Sequence, residues 1–292
     1  MRANYIRIAI MIAAIIAANQ LVGCNSGSDW DEAQQAGTHE AYENYIESNP
    51  GSEYVAEAQT TSQADSTRQI SLPENTSVDL VTGHFEFQEH DDFVRVADSF
   101  SDKEIYLQKE TYDAYKAMAA RAQKDGVRLI IVSGTRNFWY QKSIWDRKWQ
   151  NSEVSTDVGK AKEILLYSSM PMTSRHHWGT DLDLNNLNNS WFEEGEGKIV
   201  YDWLQSNAND FGFYQPYTDK SLNNRTGYEE EKWHWSYMPL AGSYLDFYNK
   251  HVTNEDISGF EGADLAPQIE MIGNYVNGVS VKVKDYNDPS SR

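Results

Sequence analysis

Three of the seven histidines in this 292-residue chain, His176, His177 and His234, lie among tryptophans and carboxylates. The first two fall in SRHHWGTDLD (174–183) and the third in EKWHW (231–235). Asp181 and Asp183 alternate with Leu182 and Leu184, so a strand there turns both carboxylates to one face and both leucines to the other. Gly179 permits a tight turn just ahead, which folds the preceding histidines back over the carboxylate face. One of His176 and His177 can then approach Asp183, but not both, because adjacent side chains point apart. In the second stretch Trp233 and Trp235 bury on one strand face while His234 points to the other. Two imidazoles and one carboxylate make the three-ligand set of a hydrolytic zinc site, which keeps its fourth position for water. Glu231, three residues before His234, is a carboxylate of the kind such a site uses as its base; reaching the same side as His234 requires a bend between them. DLDLNN also opens like a calcium loop, but Asn186 stands where the turn glycine belongs and Phe192 where the closing glutamate does, so calcium is excluded.

The elements that must carry these residues follow from periodicity. Leu107–Asp125 reads as an amphipathic helix with Ala114, Met118 and Ala122 on one face, closed by Gly126. VRLIIVSG (127–134) is a short apolar strand. Phe138–Trp149 is helical, with Trp139, Ile144, Trp145 and Trp149 as packing residues. Ile199–Ala208 is a helix, EEEKWHWSY (229–237) a strand, and Leu245–His251 and Leu265–Val276 closing helices. Helices and strands mix without regular βαβ alternation, which predicts an α+β fold.

Arg2 and Arg7 precede an apolar run, Ile8–Ala18, too short to span a bilayer but proportioned like a signal-peptide core. The run leads to LVGC, which resembles a lipobox, and Cys24 is the chain's only cysteine. Residues 1–23 are therefore expected to be a lipoprotein signal peptide and Cys24 the acylated residue, anchoring the protein to a membrane of the cell envelope. Asn25, rather than Asp, after the cysteine suggests the periplasmic side of the outer membrane in a cell with two membranes. The formal charge is −19, and loss of the two signal arginines takes it to about −21. With no basic run to offset it, nucleic acid is excluded as a partner. Residues 24–77 read as a polar tether and spacer. Within it THEAYENYIESNPGSEYVAEAQ (38–59) is patterned as a helical hairpin that resembles a single tetratricopeptide-type unit. The catalytic domain is expected over 78–251, and a C-terminal helix and polar tail over 252–292.

SRHHWGTDLD resembles the S-x-H-x-x-G-x-x-x-D signature, and EKWHW the E-x-W-H-W signature, of the VanY-type D-alanyl-D-alanine carboxypeptidases. These belong to the zinc metallopeptidase group shared with D-Ala-D-Ala dipeptidases, lysostaphin-like enzymes and the hedgehog signalling domain. The resemblance implies a small central antiparallel sheet with flanking helices around a zinc site. It makes His176, Asp183 and His234 the zinc ligands, choosing His176 over His177, and makes Glu231 the catalytic base. SGTRNFWYQ (133–141) is similar to the family's S-x-x-R-x-x-x-x-Q segment, which implies that Arg136 stabilises the reacting carbonyl and that Gln141 and Ser174 help hold the peptide. The implied activity is hydrolysis of D-Ala-D-Ala-type ends of peptidoglycan stem peptides. An endopeptidase with the same metal chemistry, and an inactive peptidoglycan-binding lipoprotein, are the alternatives. Two positions depart from the family pattern: Asp181 stands where Ala is frequent, and Ser236 where many members carry Arg.

Overall fold

The computed structural model describes residues 26–36, 39–59, 72–223 and 225–286. Residues 1–23, expected to be a signal peptide, and Cys24 lie outside these residues, as does the stretch 60–71 of the expected tether. Among the described residues no helix is long and apolar enough to cross a membrane. The chain divides into two compact units, one of them Leu72–Asn287.

The smaller unit contains helices α1 (Ser26–Ala36) and α2 (His39–Ser48), followed by a short helical turn over 55–59. Tyr42, Tyr45 and Ala58 are buried, as the hairpin pattern predicts, but they close around Trp30 and Ala33 of α1. Trp30 stacks on Tyr54 with ring centroids 5.3 Å apart. The hairpin thus has its own small aromatic core, supplied by a helix that a polar composition hides.

In the larger unit, a four-stranded antiparallel sheet runs in the order β3 (Ile131–Ser133), β4 (Asp181–Leu184), β6 (His234–Tyr237), β5 (Phe213–Tyr214). A separate two-stranded ribbon pairs β1 (Phe93–Arg95) with β2 (Tyr106–Gln108). The α+β expectation and the small antiparallel sheet are both observed. Strand β4 forms where the alternation placed it, with Leu182 and Leu184 fully buried. It ends at Asn185, which takes a left-handed conformation (φ 61°) and donates from Nδ2 to the Arg128 carbonyl at 2.8 Å. Asparagine tolerates that conformation better than most residues.

Helix α4 (Lys109–Lys124), after the short α3 (Val78–Thr82), packs Tyr112, Tyr115, Met118 and Ala122 into the core and stops before Gly126 (φ 79°). Tyr115 Oη donates to the Leu129 carbonyl at 3.0 Å, tying the helix to the approach of β3. Helix α5 (Phe138–Asn151) is capped by Asn137, whose side chain accepts from Tyr140 N, an interaction that contributes about 1 kcal/mol. Trp145 and Trp149 are buried as expected, but Trp139 is 63% exposed because the helix phase turns it outward.

The unit continues past the expected boundary at 251. After α8 (Met238–His251), preceded by α6 (Asp157–Ile164) and α7 (Gly195–Asn207), the chain buries Ile257, Ala266, Ile269, Met271, Val276 and Val283 in the same core. Trp145 Nε1 donates to the Glu261 carbonyl at 2.9 Å, so this segment clamps α5. The single helix expected over Leu265–Val276 is broken: Ala266–Ile269 is helical, Glu270 takes φ 53°, and Ile272–Val276 forms a π-helical turn.

Candidate active site

Ser174 caps a 3₁₀ turn, Arg175–Trp178, accepting from His176 N, and Gly179 (φ 71°) ends it. A Cβ at Gly179 would lie 2.3 Å from Phe93 Cε1, so the tight turn read from the sequence has no room for a side chain. The turn sends the paired histidines apart. His177 Nδ1 donates to the Arg136 carbonyl at 2.7 Å, beneath Gly83. His176 Nδ1 donates to the Gly134 carbonyl at 2.9 Å, which leaves Nε2 as the lone-pair nitrogen, 3.4 Å from Asp183 Oδ1.

Residues 231–233 form a turn closed by His234 N donating to the Glu231 carbonyl at 3.2 Å. This is the bend that the Glu231–His234 spacing demands. His234 opens β6, directly opposite Asp183 in the register. Its Nδ1 lies 3.4 Å from Asp183 Oδ1 and 3.1 Å from Glu231 Oε2, and its Nε2 donates to Asp181 Oδ1 at 2.9 Å. Ligand atoms of His176, Asp183 and His234 all lie within 4.8 Å of one another. Asp183 Oδ1 is buried without a hydrogen-bond partner, although buried carboxylate oxygens are ordinarily satisfied. That orphaned oxygen, facing Nε2 of one imidazole and Nδ1 of another, fits a cation held by two nitrogens and one oxygen, the donor set of a hydrolytic zinc centre.

Charge at the site is set by burial working against partners. Burial disfavours ionised Asp183, but His176, His234 and Arg136 outweigh it and hold the carboxyl below its usual range. Burial also opposes charge on His234, yet hydrogen bonds to Asp181 and Glu231 raise it to about 9. Glu231 is pushed up by burial, the direction that suits a proton acceptor working near neutral pH.

These side chains line a cleft of about 670 Å³, with Arg136, Tyr140, Lys148, Tyr167 and Tyr217 around them. Arg136 donates to Asp183 Oδ2 at 3.0 Å, to Ser133 Oγ at 3.0 Å and to Gln141 Oε1 at 3.2 Å. Gln141 and Ser174, expected to hold the peptide, do not line the cleft. Gln141 is fully buried, spends Oε1 on Arg136 and donates from Nε2 to the Ser169 carbonyl, so it braces the arginine. Ser174 is buried as the cap of the histidine turn.

The two departures from the family pattern meet. Asp181 and Ser236 are register partners on β4 and β6, and Arg175 bonds both. A cation absent at 236 is thus present from 175, behind His234. Sequence reasoning missed Arg175; its only signal was the coincidence of an unusual acid at 181 with a missing base at 236.

Residues 104–240 match the model of the family described as VanY, D-alanyl-D-alanine carboxypeptidase. A Bacillus subtilis (strain 168) protein named "Putative carboxypeptidase YodJ" is 35% identical over 181 residues, covering 59% of this chain and 58% of that protein. An Enterococcus faecium D-alanyl-D-alanine carboxypeptidase is 28% identical over 145 residues, covering 49% of this chain and 41% of that one. The chain therefore spans less than two thirds of either relative. A solved structure of VanYB in complex with D-Alanine-D-Alanine superposes with a TM-score of 0.43 at 22% identity, covering 56% of this chain and 92% of that one. Both histidine motifs and the arginine segment lie inside residues 104–240, the part of the chain that matches the VanY D-alanyl-D-alanine carboxypeptidase model.

Proposed function

We propose that the cleft removes the terminal residue from D-Ala-D-Ala-type ends of peptidoglycan stem peptides, as a zinc-dependent carboxypeptidase held in the cell envelope by a lipid on Cys24. The observation that carries the reading is the convergence of His176 Nε2, His234 Nδ1 and the unpartnered Asp183 Oδ1 next to the buried Glu231. The family match and the two carboxypeptidase relatives support the peptide chemistry. The LVGC sequence supports the anchor.

His176, Asp183 and His234 would hold the ion. A bound zinc supplies Lewis acidity, acidifying water and polarising the scissile carbonyl. The chain's own groups do the rest. Glu231 lines the cleft, and its burial makes the carboxylate a stronger base than an exposed one. It takes the proton from the attacking water and returns it to the leaving amine as the C–N bond breaks. Arg136, braced by Ser133 and Gln141, offers fixed positive charge to the developing oxyanion. In a chain of net charge −19, this cation and Lys148 give the cleft a local field suited to a peptide carboxylate.

The test is incubation of the purified, zinc-loaded protein with intact muropeptides, reading products by mass. Loss of one alanine from a pentapeptide stem is the expected result. A cut crosslink or shortened stem would instead make the protein an endopeptidase, and binding without any product would make it a peptidoglycan-binding lipoprotein.

A further inference from the structure

Behind His234, on the side away from the cleft, lies a closed ring of polar groups. Asp181 Oδ1 accepts from His234 Nε2 at 2.9 Å and from Arg175 Nε at 3.0 Å. Its Oδ2 accepts from Thr180 Oγ1 at 2.7 Å and from Ser236 Oγ at 3.0 Å. Arg175 Nη2 completes the ring by donating to Ser236 Oγ at 2.6 Å, and the guanidinium lies 4.6 Å from the centroid of the Trp178 ring. Arg175, Asp181 and Ser236 are all essentially inaccessible to solvent.

A buried ion pair stabilises a fold no better than well-packed apolar residues, because desolvation offsets the attraction. What the ring does provide is a carboxylate that cannot turn, with every bond of both oxygens assigned. Rotating the His234 ring by half a turn about its Cβ–Cγ bond would exchange Nε2 for Cε1 against Asp181 and break the 2.9 Å bond. The same rotation would replace Nδ1 by Cδ2 on the side of Asp183. The ring orientation that satisfies Asp181 is therefore the one that turns a nitrogen to the ligand cluster. His176 is oriented in the same sense by a neutral acceptor, the Gly134 carbonyl.

We propose that Asp181, fixed by Arg175, Thr180 and Ser236, is a positioning residue that holds His234 as the Nε2–H tautomer and so makes Nδ1 its metal-binding nitrogen. The inference rests on the zinc reading of the cleft. A carboxylate partner raises the basicity of a ligating imidazole and commonly changes metal affinity by about ten- to a hundredfold when lost.

Two measurements test it. In full-length protein labelled with ¹⁵N-histidine and loaded with ¹¹³Cd, scalar coupling from the metal should appear at Nδ1 of His234, with a slowly exchanging proton on Nε2. Coupling at Nε2 of His234 would overturn the proposal. In Asp181→Ala, which removes the acceptor altogether, zinc affinity measured by chelator competition should fall about ten- to a hundredfold, and the Nε2 proton should lose its protection. Because that variant leaves Arg175 buried without its counter-charge, the double variant Arg175→Met/Asp181→Ala, which removes both charges, should show the same loss. A change of less than about threefold in a folded variant would overturn the positioning role. Failure of the wild type to bind either metal would instead sink the zinc reading itself, so the two failures are distinct.

Discussion

Arg136 donates to one oxygen of Asp183 at 3.0 Å, while the other oxygen of the same buried carboxylate has no hydrogen-bond partner. The arginine thus faces two ways. It fixes the rotamer of a ligand carboxylate so that the free oxygen meets the two imidazoles, and it remains part of the cleft wall. Sequence spacing alone separates these residues by 47 positions; the pairing exists because Ser133 on β3 lies opposite Asp183 on β4.

Replacing Arg136 by alanine should therefore produce two effects of different size. Removal of the charge facing the oxyanion is expected to lower kcat about a hundredfold or more. Release of the Asp183 rotamer is expected to weaken zinc by about tenfold. Turnover measured at saturating zinc separates them. If excess zinc restored full activity, Arg136 would act only through Asp183.

Glu231→Gln keeps the size and polarity of the side chain but removes the proton acceptor. Zinc content and thermal stability should be close to wild type, while hydrolysis of a pentapeptide stem should fall at least about a hundredfold. Cleavage at the wild-type rate with zinc bound would remove Glu231 from the chemistry.

Much of this site could be read from the sequence because its rules are local. The two-residue period of a strand sets Asp183 to the face opposite Leu182 and Leu184. A glycine at 179 permits the turn that brings His176 over it, and three-residue spacing forces a bend between Glu231 and His234. What stayed hidden depends on distant partners. Arg175 lies 61 residues from Ser236, and only sheet register brings them together. Gln141 matches a motif position, yet its role follows from how deeply α5 buries it, which no local pattern encodes. Trp139 has the apolar bulk of a packing residue, but the helix phase faces it outward. The apolar residues over 265–276 suggest one closing helix, but the break at Glu270 and the π-helical turn after it depend on how these residues pack into the core, which the local pattern does not encode.

The anchor has its own test. If Cys24 carries the lipid, wild-type protein should partition with membranes at a mass that includes acyl chains, and Cys24→Ser should be an unprocessed or soluble form. Identical fractionation and mass change in the two proteins would contradict lipidation at this residue.

His177 gives the fold a calculable acid sensitivity. It is fully buried; burial, opposed in part by the hydrogen bond to the Arg136 carbonyl, lowers its pKa from 6.5 to about 3. The unfolded chain therefore takes up a proton on this residue below about pH 6.5 that the folded chain refuses until about pH 3. A group whose folded pKa is depressed contributes stability that is present above the unfolded value and lost as pH falls. At pH 5 the loss from this residue alone is about 2 kcal/mol. His177→Gln keeps an N–H that can donate to the Arg136 carbonyl but does not titrate in this range. Its stability at pH 7 should be lower than wild type because the amide fills less of the space under Gly83. Between pH 6.5 and 3, however, its denaturant midpoint should fall less steeply, so the two curves converge. The other acid-sensitive groups, Asp181, Asp183 and His176, are common to both proteins and cancel in the difference. Parallel curves from urea titrations across that range would show that His177 takes up its proton in the folded state at an ordinary pH.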